Sequence, residues 1–451
     1  MKKFYLINLG CSKNMIDSEM LLYNLLENRY NKTENPSEAE IIIINTCAFT
    51  EEADQESIYK ILEAAEYKKN GLCKYLIVMG CLPQKYKEEL LYEIPEIDAI
   101  FGTGDFLKIK DVIAEGIKER ICVVGSPDFN YAETGKRHLL TPKYTAYLKI
   151  AEGCVNCCSY CIIPKLRGSY RSRPLNVILD EAKMLVENGV KEICLVAQDT
   201  SLYGTDLDNK TDLPELLESI VNKSNVHWLR FLYYYPTRIS KKLIQVMKGN
   251  SSICKYLDIP MQHVNGELLK KMNREGDYRS YLDIISFLRD EVPDITLRTT
   301  FIVGFPGEGQ QEFEELVSFI EKVELDWVGF FAFSPQIGTP AYNLHPKVPQ
   351  KEIEKRLAVL SEIQAKISEK RNMRFLNRKI PVLVEGKSEE NDEFYVGRAE
   401  SQAPEIDGQV YIKGAKNEHI GNFVNVYISH VYDYDLMGEV DGEYSQYHNS
   451  G

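Results

Sequence analysis

Residues 153–164 read Gly153-Cys154-Val155-Asn156-Cys157-Cys158-Ser159-Tyr160-Cys161-Ile162-Ile163-Pro164. Cys154, Cys158 and Cys161 stand in the order Cys-x3-Cys-x2-Cys. Three thiolates so spaced can hold three corners of a four-iron, four-sulfur cluster. Such clusters normally take four, so a loop supplying three leaves one iron open to another ligand. A zinc knuckle is the alternative. Zinc prefers four ligands, often in paired Cys-x2-Cys hooks, and no second hook follows. A Cys157-x3-Cys161 pair also exists. The x3-x2 phasing with Tyr160 favours Cys154, Cys158 and Cys161, leaving Cys157 as a small loop residue.

The loop follows an apolar strand pattern at 145–151, and five more follow at 192–198, 227–235, 256–262, 296–304 and 326–334. Helical patterns separate them, such as Pro174 to Asn188 and Gln311 to Val323. Six β-α repeats predict a partial (β/α)6 barrel with its site at the carboxyl ends of the strands. Gln198, Arg230, Tyr233, Asp258, Gln262, His263, Arg298 and Thr300 are expected at that edge. Gly304-Phe305-Pro306-Gly307-Glu308 lacks the Lys-Ser or Lys-Thr pair of a phosphate loop.

Upstream, 4–10, 41–45 and 75–79 read as buried strands. A helix from about Ser18 to Asn28 and a second one capped by Thr50 lie between them. This alternation predicts an open parallel α/β sheet. Cys11, Cys47 and Cys81 each follow one of its strands. Ligands gather at the carboxyl ends of strands in such sheets. The three cysteines are therefore expected to converge, as ligands of a second cluster or as small buried hydrophobes. Cys73, Cys122, Cys194 and Cys254 read as packing residues.

Downstream, a helix from about Lys351 to Phe375 leads to short strands at Ile380–Glu385, Phe394–Arg398, Gln409–Ile412 and Phe423–His430. They predict a small antiparallel β-barrel. Residues 381–442 hold thirteen acids and four bases, a net of −9. That balance argues against phosphate binding.

The expected division is 1–131, a polar linker at 132–143, 144–372, 373–440 and a disordered tail at 441–451. Apolar content of 44% is ordinary for a soluble chain, and no run is long enough to span a bilayer. The N-terminal apolar stretch holds Asn8 and is too short for an export signal, so the chain reads as cytoplasmic. Eleven cysteines then favour metal or redox chemistry over disulfides. A net charge of −13 favours a basic protein over a nucleic acid as partner.

The cysteine loop with Tyr160 closely resembles that of radical S-adenosylmethionine (SAM) enzymes. Leu9-Gly10-Cys11-Ser12-Lys13-Asn14, followed by Asp17-Ser18-Glu19, resembles the N-terminal domain of methylthiotransferases, as do Asn45-Thr46-Cys47-Ala48-Phe49 and Met79-Gly80-Cys81-Leu82. Cys-Ser-Lys-Asn resembles the RimO branch, which modifies a ribosomal protein. The tRNA-modifying MiaB branch usually reads Cys-Gln-Met-Asn. The C-terminal strands resemble a TRAM domain, and Gly397-Arg398 with Ala403-Pro404-Glu405-Ile406-Asp407-Gly408 again resembles the RimO branch.

The resemblance implies an N-terminal methylthiotransferase domain, a radical SAM barrel and a TRAM barrel. It implies two [4Fe-4S] clusters, one on Cys154, Cys158 and Cys161 and one on Cys11, Cys47 and Cys81, with SAM as cofactor. Tyr160, Gln198, Arg230, Arg298 and Thr300 suit the ribose and carboxylate of SAM, or pair with one another as barrel-lining groups. The implied reaction is methylthiolation of the β-carbon of an aspartate in ribosomal small-subunit protein twelve. An electron donor such as flavodoxin or ferredoxin and a sulfur donor are the further implied partners. A tRNA methylthiotransferase would be expected to carry a basic TRAM domain. A non-catalytic iron-sulfur protein would not need the six-stranded barrel.

Overall fold

The computed structural model describes residues 2–128, 136–208 and 210–441. Residues 132–135 of the expected linker and 442–451 of the expected tail lie outside the described residues.

The N-terminal domain is built as β1 (Lys3–Asn8), α1 (Ser12–Glu27), β2 (Asn31–Lys32), β3 (Ile41–Thr46), α2 (Glu51–Asn70), β4 (Tyr75–Gly80), α3 (Cys81–Tyr86), α4 (Glu88–Glu93), β5 (Ala99–Phe101), α5 (Ile109–Glu115) and β6 (Ile121–Val123). Its six strands are all parallel in the order β2-β1-β3-β4-β5-β6. Ile41 to Ile44 are wholly buried because both sheet faces are covered. Ile41 and Ile43 pack with Ile16, Leu21 and Leu25 of α1, whereas Ile42 and Ile44 pack with Ile61 and Ala64 of α2. Thr50 caps α2, its hydroxyl accepting from the Ala53 amide at 3.2 Å. Helix α1 begins six residues earlier than its apolar pattern predicts. The short strands β2, β5 and β6 were not expected.

The central domain runs β7 (Thr145–Lys149), β8 (Ala151–Glu152), α6 (Ile163–Arg167), β9 (Arg171–Ser172), α7 (Leu175–Glu187), β10 (Glu192–Val196), α8 (Leu213–Ser224), β11 (Trp228–Phe231), α9 (Lys241–Gly249), β12 (Tyr256–Asp258), α10 (Gly266–Lys271), α11 (Tyr278–Glu291), β13 (Thr296–Val303), α12 (Gln310–Val323), β14 (Trp327–Ala332) and α13 (Gln350–Asn372). Its six main strands form two parallel triplets, β7-β10-β11 and β12-β13-β14, joined by a bridge between Leu229 and Ile253. This is a (β/α)6 partial barrel. Alternate strand residues face opposite ways. Ala146, Leu148, Ile193, Leu195, Leu229 and Phe231 pack outward with helix residues such as Ile178 and Leu216. Tyr147, Cys194, Trp228, Tyr256 and Trp327 belong to a second cluster that also takes in Leu383 and Ala403 of the last domain.

The C-terminal domain is a closed five-stranded barrel of β15 (Lys379–Lys387), β16 (Phe394–Ala399), β17 (Val410–Lys413), β18 (Phe423–Val431) and β19 (Leu436–Val440). Its pairings are antiparallel except β17 with β19. Strand β19, absent from the sequence expectation, closes it.

Buried charges fasten the domains together. The described end of the expected linker is pinned rather than free: Arg137 pairs with Glu19 of α1 and with Glu181 of α7. Arg398 of β16 pairs with Glu192 at the start of β10, which also accepts from Arg230. Trp327 donates its indole N–H to the Ser401 carbonyl at 2.8 Å, and Tyr256 donates to Asp407 at 2.7 Å. Residues 400–407 thus fill part of the barrel interior. No helix of the described residues is long and apolar enough to cross a membrane.

Candidate functional site

The order β2-β1-β3 reverses direction at β1 and β3, the position where open α/β sheets hold ligands. Cys11 leaves β1 as the cap residue of α1, Cys47 follows β3, and Cys81 is the first residue of α3 after β4. Two of the three thiols therefore sit at helix N-termini, where the backbone favours thiolate. Gly10 and Gly80 precede two of them with φ of +84° and +100°. A Cβ on Gly10 would stand 2.8 Å from Cys47 Cβ and 3.1 Å from its sulfur, so only glycine lets these two turns meet.

Electrostatics reports the same convergence. Burial pushes the Cys47 thiol up to about 12, and the neighbouring thiols of Cys81 and Cys11 push the same way. Burial also raises Cys81, though Arg167 opposes it. At Cys11 burial pushes upward, but Lys13, Arg167 and the amides of Asn14 and Lys13 outweigh it, and the thiol ends below its ordinary value.

The second triplet lies at the carboxyl end of β7. Cys154 takes its amide bond to the Gly168 carbonyl at 3.1 Å, and Cys161 N–H donates to Cys158 O at 3.0 Å. Burial raises Cys154 to about 11 and Cys161 to about 12, and both sense Cys158. Cys157 is exposed and turns through φ +50°. Arg274 donates to Cys158 Sγ at 3.7 Å, held by the Pro260 carbonyl at 2.6 Å and stacked on Tyr235. Tyr160 is half-buried, and its hydroxyl, raised by burial, neighbours the Cys158 thiol.

The two triplets share a wall of buried charge. Arg167, the last residue of α6, reaches Cys81 Sγ at 3.8 Å and also donates to Asn14. Its other nitrogen meets Asp17 at 2.6 Å and Glu152 at 3.4 Å. Lys149 pairs with the same two acids, each at 2.7 Å. Gln198 donates to Glu152 at 2.6 Å. Lys13 lies over the Tyr233 ring, 3.7 Å from its centroid.

Among the described residues no group of three or more His, Cys, Asp or Glu closes around one point as a single ion needs. Thiolates on three different irons of a cluster stand further apart than ligands of one ion. Each triplet is a set of thiols with an arginine alongside and no carboxylate interposed, which suits a cluster better than a hard cation. A thiol held neutral by burial becomes a thiolate when metal binds.

The expected SAM ligands divide. Gln198 lies just beyond β10, half-buried, and its buried carbonyl oxygen has no partner. Thr300 is half-buried and accepts from Gln262 at 3.3 Å. Arg230 and Arg298 sit deeper than Gln198 and Thr300. Arg230 is wholly buried against Glu192 and the Glu400 carbonyl. Arg298 is taken by Asp258 and Asp407. Both are the third residue of their strands, deep in the barrel, and the C-terminal domain claims them. His263 is fully buried, and burial lowers it to about 3. Its Nδ1 accepts from the Asn265 amide at 3.0 Å. Gly304 and Glu308 form a turn closed by Arg356 of α13, leaving no phosphate loop.

Lys13, Asp17, Lys149, Glu152, Arg167 and Arg274 were not singled out from sequence. For the first two the available signal was a polar face. Lys13, Asn14, Asp17 and Ser18 recur at helical spacing and are all buried.

A (β/α)6 partial barrel carrying three thiols on the loop after its first strand, beneath a second three-thiol domain, defines a radical SAM transferase. The family models agree: "Uncharacterized protein family UPF0004" matches residues 3–102, "Radical SAM superfamily" 148–320 and "TRAM domain" 378–440. The chain belongs to the RimO family of methylthiotransferases. It is 46% identical to the ribosomal protein uS12 methylthiotransferase RimO of Geobacter sulfurreducens, over 97% of this chain and 98% of that one. It is also 46% identical to the enzyme of the same description from Clostridioides difficile, over 98% and 99%. Among solved structures, the radical SAM methyltransferase TsrM of Kitasatospora setae, with cobalamin and a [4Fe-4S] cluster bound, superposes with a TM-score of 0.56. At 16% identity over 76% of this chain and 77% of that one, the likeness is one of fold.

Proposed function

We propose that this chain methylthiolates the β-carbon of an aspartate in ribosomal protein uS12, in the cytoplasm, using two [4Fe-4S] clusters and SAM. Cys154, Cys158 and Cys161 hold one cluster, and Cys11, Cys47 and Cys81 hold the other. When bound, the clusters supply the electron that cleaves SAM and the sulfur that is transferred, chemistry that side chains cannot provide. A protein-based electron donor, flavodoxin or ferredoxin, and a sulfur donor complete the cycle.

The chain's own groups have narrower tasks. Arg274 and Arg167 each lay a guanidinium beside a ligand thiolate and offset its charge. Glu152, steadied by Lys149 and Arg167, fixes the Gln198 amide, whose free oxygen accepts from the SAM ribose. Thr300 and Tyr160 are further proposed contacts of SAM. The N-terminal domain is joined to the barrel through Asp17 and Arg167.

The observation that carries this reading is the Arg167 bridge. One guanidinium touches Cys81 of the first triplet and Glu152 beside the second, in a chain 46% identical to RimO enzymes over nearly its whole length. The acidic C-terminal barrel supports a basic protein partner. Glu389, Glu390, Asp392 and Glu393 are exposed on one loop. Like-signed tRNA phosphate would be repelled there.

The test is anaerobic turnover of reconstituted enzyme with purified uS12 and bulk tRNA in one tube. The methylthio group is expected on uS12 alone. Its appearance on tRNA alone would reverse the assignment.

A further inference from the structure

Lys13 is the third residue after β1's turn, two beyond Cys11, and only 9% of it is exposed. A buried ammonium is costly without an anionic partner. Among the described residues no carboxylate forms an ion pair with it. Asp17, one turn further along α1, and Glu152 are both taken up by Lys149 and Arg167. What Lys13 has is the face of Tyr233, 3.7 Å from the ring centroid, and the neighbouring thiol of Cys11. A ring face offsets part of the desolvation, and an ammonium has three protons to donate.

Tyr233 is itself held in an unusual way. Its φ is +61°, a left-handed conformation that bulky residues rarely adopt. Its amide donates to Asp258 Oδ2 at 2.9 Å, and its carbonyl accepts from the Thr200 amide at 3.1 Å. The barrel therefore spends backbone strain to present this ring. Lys13 comes from the N-terminal domain and Tyr233 follows β11, so the pair joins the two domains that carry the thiol groups.

We infer that Lys13 is a specificity-determining residue that grips the side-chain carboxylate of the acceptor aspartate. The inference rests on the uS12 reading. The carboxylate is bonded directly to the β-carbon that is to be modified, so an anchored carboxylate leaves that carbon little freedom. An amide in its place would lose the ion pair and set an N–H donor against the ammonium. The same chemistry could come from the carboxylate of SAM. Lys13 is two residues from Cys11 of the first thiol triplet and its charge acts on that thiol, whereas SAM is expected at the loop 154–161, which favours the acceptor.

The experiment measures binding, without turnover, by anaerobically reconstituted holoenzyme. The ligands are uS12, uS12 with its acceptor aspartate changed to asparagine, and SAM. Parent enzyme is expected to prefer the aspartate form by about tenfold to a hundredfold, the range for a charged hydrogen bond. In Lys13→Met that preference falls to near unity, and Lys13→Arg restores part of it. Iron content and melting temperature, read on each variant, exclude a folding defect. Equal preference in parent and Lys13→Met would overturn the inference while leaving the function intact. So would weakened SAM binding with the aspartate preference kept, or loss of iron with that preference kept. Failure of the parent to bind either form of uS12 would remove the substrate reading, and this inference with it.

Discussion

Changing Cys154, Cys158 and Cys161 together to alanine is expected to abolish 5′-deoxyadenosine formation and to halve the iron. The parent, reconstituted without oxygen, should hold about eight irons, and the variant about four, since each three-thiol group serves one four-iron cluster. The loss of SAM cleavage should be complete, because all three proposed ligands of that cluster are removed. The loop's backbone bonds, from the Cys154 amide to the Gly168 carbonyl and from the Ser159 amide to the Met272 carbonyl, do not use the thiols and survive the change. Iron and labile sulfide analysis beside chromatography of 5′-deoxyadenosine decides the matter. A parent with only four irons would remove the second cluster from the account.

The companion variant, with Cys11, Cys47 and Cys81 changed to alanine, should also hold about four irons. It should behave differently: 5′-deoxyadenosine continues to form, but uS12 acquires no methylthio group. The three thiols lie on a separate sheet, and the contact with the barrel through Arg167 also uses Asp17 and Asn14, which remain. Mass spectrometry of uS12 and the same nucleoside assay read both halves in one reaction. If SAM cleavage vanished as well, the division of labour between the two thiol groups would be wrong.

Much of this arrangement was legible in the sequence because parallel strands buried on both faces are apolar runs. Ile41 to Ile44 and Tyr75 to Met79 could hardly be anything else. The strand-end placement of Cys11, Cys47 and Cys81 followed from those runs, and the sulfurs do converge. The start of α1 was not legible. Apolar periodicity sees only helix faces that bury hydrocarbon, and the first turns of α1 bury Lys13, Asn14, Asp17 and Ser18 against the barrel. The short strands β5 and β6 have three residues each, too few for a pattern to repeat. The acidic partners of Arg230 and Arg298 were not legible for a related reason. Position on a strand predicts which way a side chain points, but not how far up the barrel it sits. Nor could local sequence reveal that residues 400–407 would occupy the lower half. Half the chemistry of the site is made of such long-range pairs, Arg167 with Asp17 and Arg274 with Cys158 among them, and no spacing rule connects their positions.

The acidic C-terminal barrel teaches a similar lesson. Its net charge was read from composition as a surface property. Asp407 and Glu385 are instead turned inward, to Tyr256 and Arg398, and serve assembly. The loop at Glu389 to Glu393, with the exposed Glu405, Glu418 and Asp433, remains for a basic partner to meet.

The central claim is that two thiol-borne centres act together on a protein and not on RNA. Mass analysis of uS12 and of tRNA nucleosides, from cells lacking this chain and from their parent, tests it most directly. The account predicts that the methylthio increment disappears from uS12 and stays unchanged in tRNA. An unaltered uS12 together with loss of the tRNA modification would contradict it.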